Sequence, residues 1–189
     1  MSPGSRPRRW RFARTAVGCS LAIVPAGVLG LGKDLHAGGA GVDRAAPDAP
    51  QTARVARWVD GDTLHVTLRG RDVTVRLLGA GAPETYRTPA CGGTQATRLA
   101  ARTLAPGSRV TVTTERASGD VVDAYQRRVA YIDGRRGDVG EVLIRAGRAT
   151  IYRYHGRRFA RLPRYQAAQH AARAARRGSW RICPRFGAR

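Results

Sequence analysis

The chain has 189 residues and carries 34 Lys+Arg against 13 Asp+Glu, a formal net charge of +21. With 42% hydrophobic residues it can bury a core, so full disorder is excluded. Three Cys rule out a disulfide-dense miniprotein and any four-Cys zinc site, and four scattered His without H-x-x-H or H-E-x-x-H argue against a His-built zinc centre. The charge predicts affinity for polyanions, nucleic acid first and anionic membrane second.

Residues 1–36 read as an export segment. Arg6, Arg8, Arg9, Arg11 and Arg14 precede an uncharged stretch from Thr15 to Gly32, and small residues follow. A cleaved signal peptide and a retained membrane anchor both fit, because the stretch is short and broken by Pro25. The protein is therefore expected outside the cytoplasm, secreted or anchored, and in contact with a membrane only through this segment. Residues 37–51 are rich in Gly, Ala, Pro and Asp and read as a flexible linker. The folded domain is expected over 52–183, with a short basic tail at 184–189. From residue 50 onward there are 27 Arg against 10 acids, so the excess charge belongs to the domain itself.

Val55, Trp58 and Val59 lead into an Asp60-Gly61-Asp62 turn. Leu64, Val66 and Leu68 alternate with polar residues, as do Val73, Val75 and Leu77, predicting two half-buried strands joined at Gly70. A loop rich in Gly, Ala and Pro runs from Gly79 to Gly93. Ala96, Leu99, Ala100, Thr103 and Leu104 share one helix face, ended by Pro106-Gly107. A fourth strand is expected at Val110–Thr114 and a fifth at Val129–Ile132. Asp138-x-x-Glu141 resembles a capping box before a short helix that stops at Gly147. Arg161–Arg177 predicts a last helix with Tyr165, Ala168, Ala172 and Ala175 as its apolar face. The pattern implies an α+β fold, a small five-stranded Greek-key barrel with packed helices.

Three motifs carry chemistry. Asp60 and Asp62 flank a glycine, and paired carboxylates suit a hard cation, although an Asp-Gly turn is usually only a turn. Arg76 leaves a strand ahead of Glu84 on a loop; a carboxylate to accept a proton and a guanidinium to clamp phosphate suit phosphodiester hydrolysis, but a surface ion pair is the plainer reading. Arg127, in Asp123-x-Tyr125-x-Arg127, would add charge stabilisation at the same phosphate, or would simply face solvent.

In their order and spacing, V-D-G-D-T, R-L-L-G-x-x-A-P-E-T, D-x-Y-x-R-x-x-A-Y and the late G-S-W resemble the staphylococcal nuclease family over about residues 52–183. The resemblance implies an OB-fold barrel with three helices and Ca²⁺-dependent, sequence-nonspecific cleavage of DNA and RNA, with no small-molecule cofactor and a monomeric chain. It implies Asp62 as a metal ligand with Asp60 nearby, and the Ala82 carbonyl as a further donor. Glu84 would be the general base, Arg76 and Arg127 the phosphate clamps, and Tyr125, Tyr152 and Tyr154 nucleotide contacts. Gly81 stands where the family places a second carboxylate ligand, so the metal site is expected to be weak. Gln126 stands where the family usually has Gly. The alternative is a degenerate domain that binds nucleic acid without cutting it. With Cys19 in the export segment, the exported domain keeps two Cys, and Cys91 and Cys183 are expected to pair in an oxidising compartment.

Overall fold

The computed structural model describes residues 48–188; the expected export segment with Cys19, the expected linker up to residue 47 and Arg189 lie outside the described residues. Five strands close a barrel: β1 (Gln51–Trp58), β2 (Thr63–Leu68), β3 (Arg71–Leu77), β5 (Arg109–Thr113) and β6 (Arg128–Gly134). Their order is β3-β2-β1-β5-β6, and β3 meets β6 in parallel, Val75 opposite Arg128 and Leu77 opposite Ala130, which leaves no open edge. The five expected strands are all present. Two-residue strands were not foreseen, being too short for any periodicity: β4 (Ala80–Gly81) pairs with β8 (Thr150–Ile151), and β7 (Gly137–Asp138) extends β6.

Alternation fills the barrel as expected. Val55, Leu64, Val66, Val75, Leu77, Val110, Val112 and Ile132 are buried in one core. Helices α1 (Gly93–Thr103), α2 (Val139–Arg145) and α3 (Leu162–Ala174) match the three expected. On α1, Ala96 and Ala100 are buried; on α3, Tyr165, Ala168 and Ala172 are, whereas Ala175 caps the helix in solvent and Leu162 takes its place in the core. A fourth helix, α4 (Ser179–Ile182), adds one turn to the expected set. Asp138 caps α2 by accepting from Gly140 N and Glu141 N. The reciprocal half of a capping box is replaced: Glu141 pairs with Arg145 and Arg164.

The boundaries reach further than the hydrophobic pattern. Gln51 already pairs in β1 and Asp48 N donates to Thr114 O at 2.9 Å, so residues 48–51 belong to the barrel. At the other end Phe186 packs edge-on against Trp180 at 4.8 Å, drawing the basic tail onto the domain.

Cys91 and Cys183 are bonded across 92 residues of sequence, with Cα atoms 5.7 Å apart. The bond ties the chain after α4 to the loop before α1. In the chain-entropy view, closing such a loop contributes about 4–5 kcal/mol. Reduction should lower the melting temperature by about 10 °C or more; identical melts with and without reductant would remove this role.

Candidate active site

The D-G-D turn is built from its own carboxylate. Asp60 Oδ1 accepts from Asp62 N (2.9 Å) and Thr63 N (2.8 Å), which closes the turn between β1 and β2. Gly61 sits where a Cβ would come within 2.6 Å of Ala82 Cβ and 2.8 Å of Ala96 Cβ, so the turn presses against both the following loop and α1. This contact holds Asp62 inward, with its side chain 8% exposed.

Around Asp62 the structure gathers three of the expected site residues. Asp62 Oδ2 accepts from Ala82 N at 2.5 Å and faces Arg76 Nη2 at 3.1 Å; Oδ1 accepts from Thr63 Oγ1 at 3.1 Å. Arg76 Nη1 also donates to Leu77 O (2.9 Å) and Ala80 O (2.6 Å), and the guanidinium lies over the Tyr152 ring at 5.5 Å. Arg76 thus stitches the loop after β3 to the D-G-D turn.

Burial pushes the Asp62 carboxyl up to about 6, against the pull of Arg76, with Asp60 adding to the rise. The folded state therefore holds this proton more tightly than the unfolded chain. Its contribution to stability falls as pH rises from about 4 to about 6, by on the order of 2–3 kcal/mol. The difference in unfolding free energy between parent and Asp62→Asn should shrink across that range, with the parent losing ground as pH rises; a parent that gains on the variant through the same window would contradict it.

Glu84 and Arg127 stand apart from this cluster, joined to it by no hydrogen bond or ion pair among the described residues. Glu84 is exposed, and its carboxylate has no partner among them. Its backbone is nonetheless held: Ala90 N donates to Glu84 O at 2.9 Å, and a Cβ on Gly93, at the start of α1, would meet that same oxygen at 2.5 Å. The close approach of α1 requires a glycine there, a constraint that no local pattern reveals.

Arg127 Nε and Nη2 both reach Asp123 Oδ2, at 2.8 and 2.7 Å, and the exposed Tyr125 ring lies 5.1 Å from the guanidinium. Asp123 Oδ1 accepts from Tyr125 N and Arg127 N, both at 3.0 Å. Against a burial that raises it, hydrogen bonds from Arg127 hold the Asp123 carboxyl below its ordinary value. Gln126 has φ 60, the left-handed region, which explains why glycine suits this turn. Because Val129 pairs with Arg76 in the parallel β3–β6 ladder, Arg127 immediately precedes the strand that lies beside Arg76. Tyr154 packs edge-on against His155 at 4.1 Å, at the start of a 3₁₀ turn.

The donor set does not fit a calcium ion. Calcium takes six to eight oxygens, whereas Asp62 is already paired with a cation and a backbone amide. No group of three or more His, Cys, Asp or Glu side chains among the described residues is gathered to hold a metal. The atom of Ala82 turned to Asp62 is its N–H. Gly81 lies in β4 and is absent from the positive-φ glycines, so its backbone is one any residue adopts. Gly81 and Glu84 line a cleft of about 510 Å³ whose far wall is the tail, including Arg185 and Phe186. Sequence reasoning assigned that tail no part in the site.

The model of the Staphylococcal nuclease homologue family matches residues 74–182. An uncharacterized protein of Bacillus anthracis is 29% identical over 132 residues, 68% of this chain; the chain spans 60% of that relative's length.

Proposed function

The chain belongs to the staphylococcal nuclease family, and from that premise we propose that its barrel domain hydrolyses phosphodiester bonds of DNA and RNA without sequence preference. The observation that carries this reading is Glu84: a solvent-facing carboxylate with no partner among the described residues, on a loop whose backbone is pinned by Ala90 and α1. A binding module for a polyanion has no evident use for a lone carboxylate at the mouth of a cleft on a strongly basic chain. Glu84 takes a proton from the attacking water. Arg127, steadied by Asp123 and stacked near Tyr125, offsets charge on the phosphate oxygens, while Arg76 orders the loop and adds its field. Tyr125, Tyr152 and Tyr154 offer ring faces and hydroxyls to the nucleotide. Family members are typically metal-dependent, whereas the donor set of this chain does not fit a calcium ion.

A second reading, binding without cleavage, is favoured by that misfit: one carboxylate is replaced by Gly81 and the other is spent on Arg76. Incubating the purified chain with plasmid and RNA, with calcium or with chelator, separates the two. Cleavage abolished by Glu84→Gln supports the enzyme; intact substrate that is nevertheless bound supports the binder.

Gly81→Asp tests the metal directly. Its backbone accepts a side chain, and the adjoining cleft offers room. A second carboxylate oxygen beside Asp62 should create or strengthen calcium stimulation of cleavage by tenfold or more, lowering the half-saturating concentration. A variant that folds but shows the parent's calcium response would place the deficit elsewhere in the site.

We infer that the chain works outside the cytoplasm, supported by the positively charged, then uncharged N-terminal sequence and by the disulfide. No helix among the described residues is long and apolar enough to cross a membrane.

A further inference from the structure

On the outer face of the barrel, β1 lies between β2 and β5. Ala53 and Val55 turn into the core, which leaves Thr52 and Arg54 outward. The register sets Arg54 opposite Thr67 on β2 and opposite Arg109 on β5. Two guanidinium-bearing residues therefore face each other on neighbouring strands. Like charges at that spacing repel and destabilise a sheet unless an anion lies between them.

No carboxylate among the described residues answers this charge. The Arg109 guanidinium has no hydrogen bond or ion pair among the described residues, and that of Arg54 donates only to Gly107 O at 3.0 Å. Arg76, Arg127, Arg145, Arg161 and Arg164, by contrast, each hold a carboxylate. The acid on the Arg54 row is Asp72, two strands away, and His65 Nδ1 engages both its oxygens at 3.1 Å. Between Arg54 and Arg109 runs a groove of about 290 Å³ lined also by Thr52 and Thr67. Two forked cations and two hydroxyls, with no acid in the lining, match the donor demand of a phosphodiester.

We propose that this groove binds a backbone phosphate of the nucleic-acid strand at a point remote from the bond being cut. The sheet places it on the substrate's course. Thr63 pairs with Arg76 at one end of β2, and Thr67, four residues along, pairs with the Arg54 row, about 13 Å away at ~3.3 Å per residue. That span equals the rise of about four nucleotides of duplex, fewer of an extended strand. Arg57, opposite His65, lies between the two rows and continues the positive track. The proposal rests on nucleic acid being the substrate, but not on its being cleaved.

The test is binding of a labelled 30-nucleotide strand to the full chain carrying Glu84→Gln, so that substrate survives, over a salt series. Arg54→Gln with Arg109→Gln should weaken binding tenfold or more at low salt. It should also reduce the slope of log affinity against log salt by about one to two, the loss expected for one or two phosphate contacts. Arg135→Gln with Arg136→Gln, in the exposed turn after β6, changes net charge equally and should alter neither by as much. Arg54→Lys with Arg109→Lys separates loss of fold from loss of contact; it keeps the charge and should restore most of the affinity. Equal losses in the groove and control pairs would overturn the proposal. So would displacement of the strand by millimolar inorganic phosphate or by phosphatidylserine vesicles as effectively as by unlabelled strand. A parent that binds no nucleic acid would instead overturn the functional reading itself.

Discussion

Replacing Glu84 by Gln should lower phosphodiester cleavage by roughly 10²–10⁴-fold, the usual range for losing a general base, while the melting temperature stays within about 2 °C. Both halves follow from the same geometry. The carboxylate is exposed and has no partner among the described residues, so no folding contact goes with it. Surface substitutions free of such contacts stay within about 0.5 kcal/mol. Gln keeps the shape, and the loop remains held by Ala90 N and by the approach of Gly93. Arg76→Ala provides the contrast. It should impair cleavage and also destabilise the fold by about 3–5 kcal/mol, because it strands the buried Asp62 charge and the carbonyls of Leu77 and Ala80. Rate assays and melts on the two variants separate chemistry from scaffolding. Unchanged cleavage by Glu84→Gln would remove Glu84 from the mechanism; a matching fall in melting temperature would make it structural.

Asp138→Ala should be the most damaging single change to stability, at about 4 kcal/mol or more and roughly 10–20 °C. The Asp138 side chain is 1% exposed and serves three tasks. Oδ1 caps α2 at Gly140 N, 2.9 Å away. Oδ2 accepts from Arg161 Nη1, Arg164 Nη2 and the Tyr165 hydroxyl, each at 2.8 Å. Arg161 in turn reaches Asp133 and lies 4.0 Å over the Tyr131 ring, whose hydroxyl donates to buried Glu115. Truncation orphans a buried hydroxyl, leaves Arg161 half-paired and uncaps a helix that packs on α3. Asp138→Asn keeps the cap, since Asn and Asp cap about equally well, but loses the charge. It should therefore recover about 1 kcal/mol of the loss. Equal melts for Asp138→Ala and parent, measured by denaturant or heat, would show that the neighbouring acids Asp133 and Glu141 carry the helix junction alone.

What the sequence determined by itself is local. Val66, Val75 and Val112 announce their strands because a pleated strand turns alternate residues to one side, and Ala96, Ala100, Ala168 and Ala172 announce helix faces by the 3.6-residue period. Those periods, the turn residues between them and the order of four short motifs sufficed for the five-stranded barrel, three of the helices and the family. The two cysteines left after Cys19 sufficed to foresee the bond between Cys91 and Cys183. Partnership is different, because charge has no period. Among so many arginines nothing local distinguishes Arg76, held by Asp62, from Arg127, held by Asp123, or from Arg109, held by nothing among the described residues. The parallel closure of β3 on β6 brings distant residues side by side, and the crossing of α1 over the Glu84 loop makes glycine necessary at 93. The register of β1 between β2 and β5 sets Arg54 against Arg109. Each depends on which strand becomes neighbour to which, and that is settled only when the barrel closes and its buried charges have found partners.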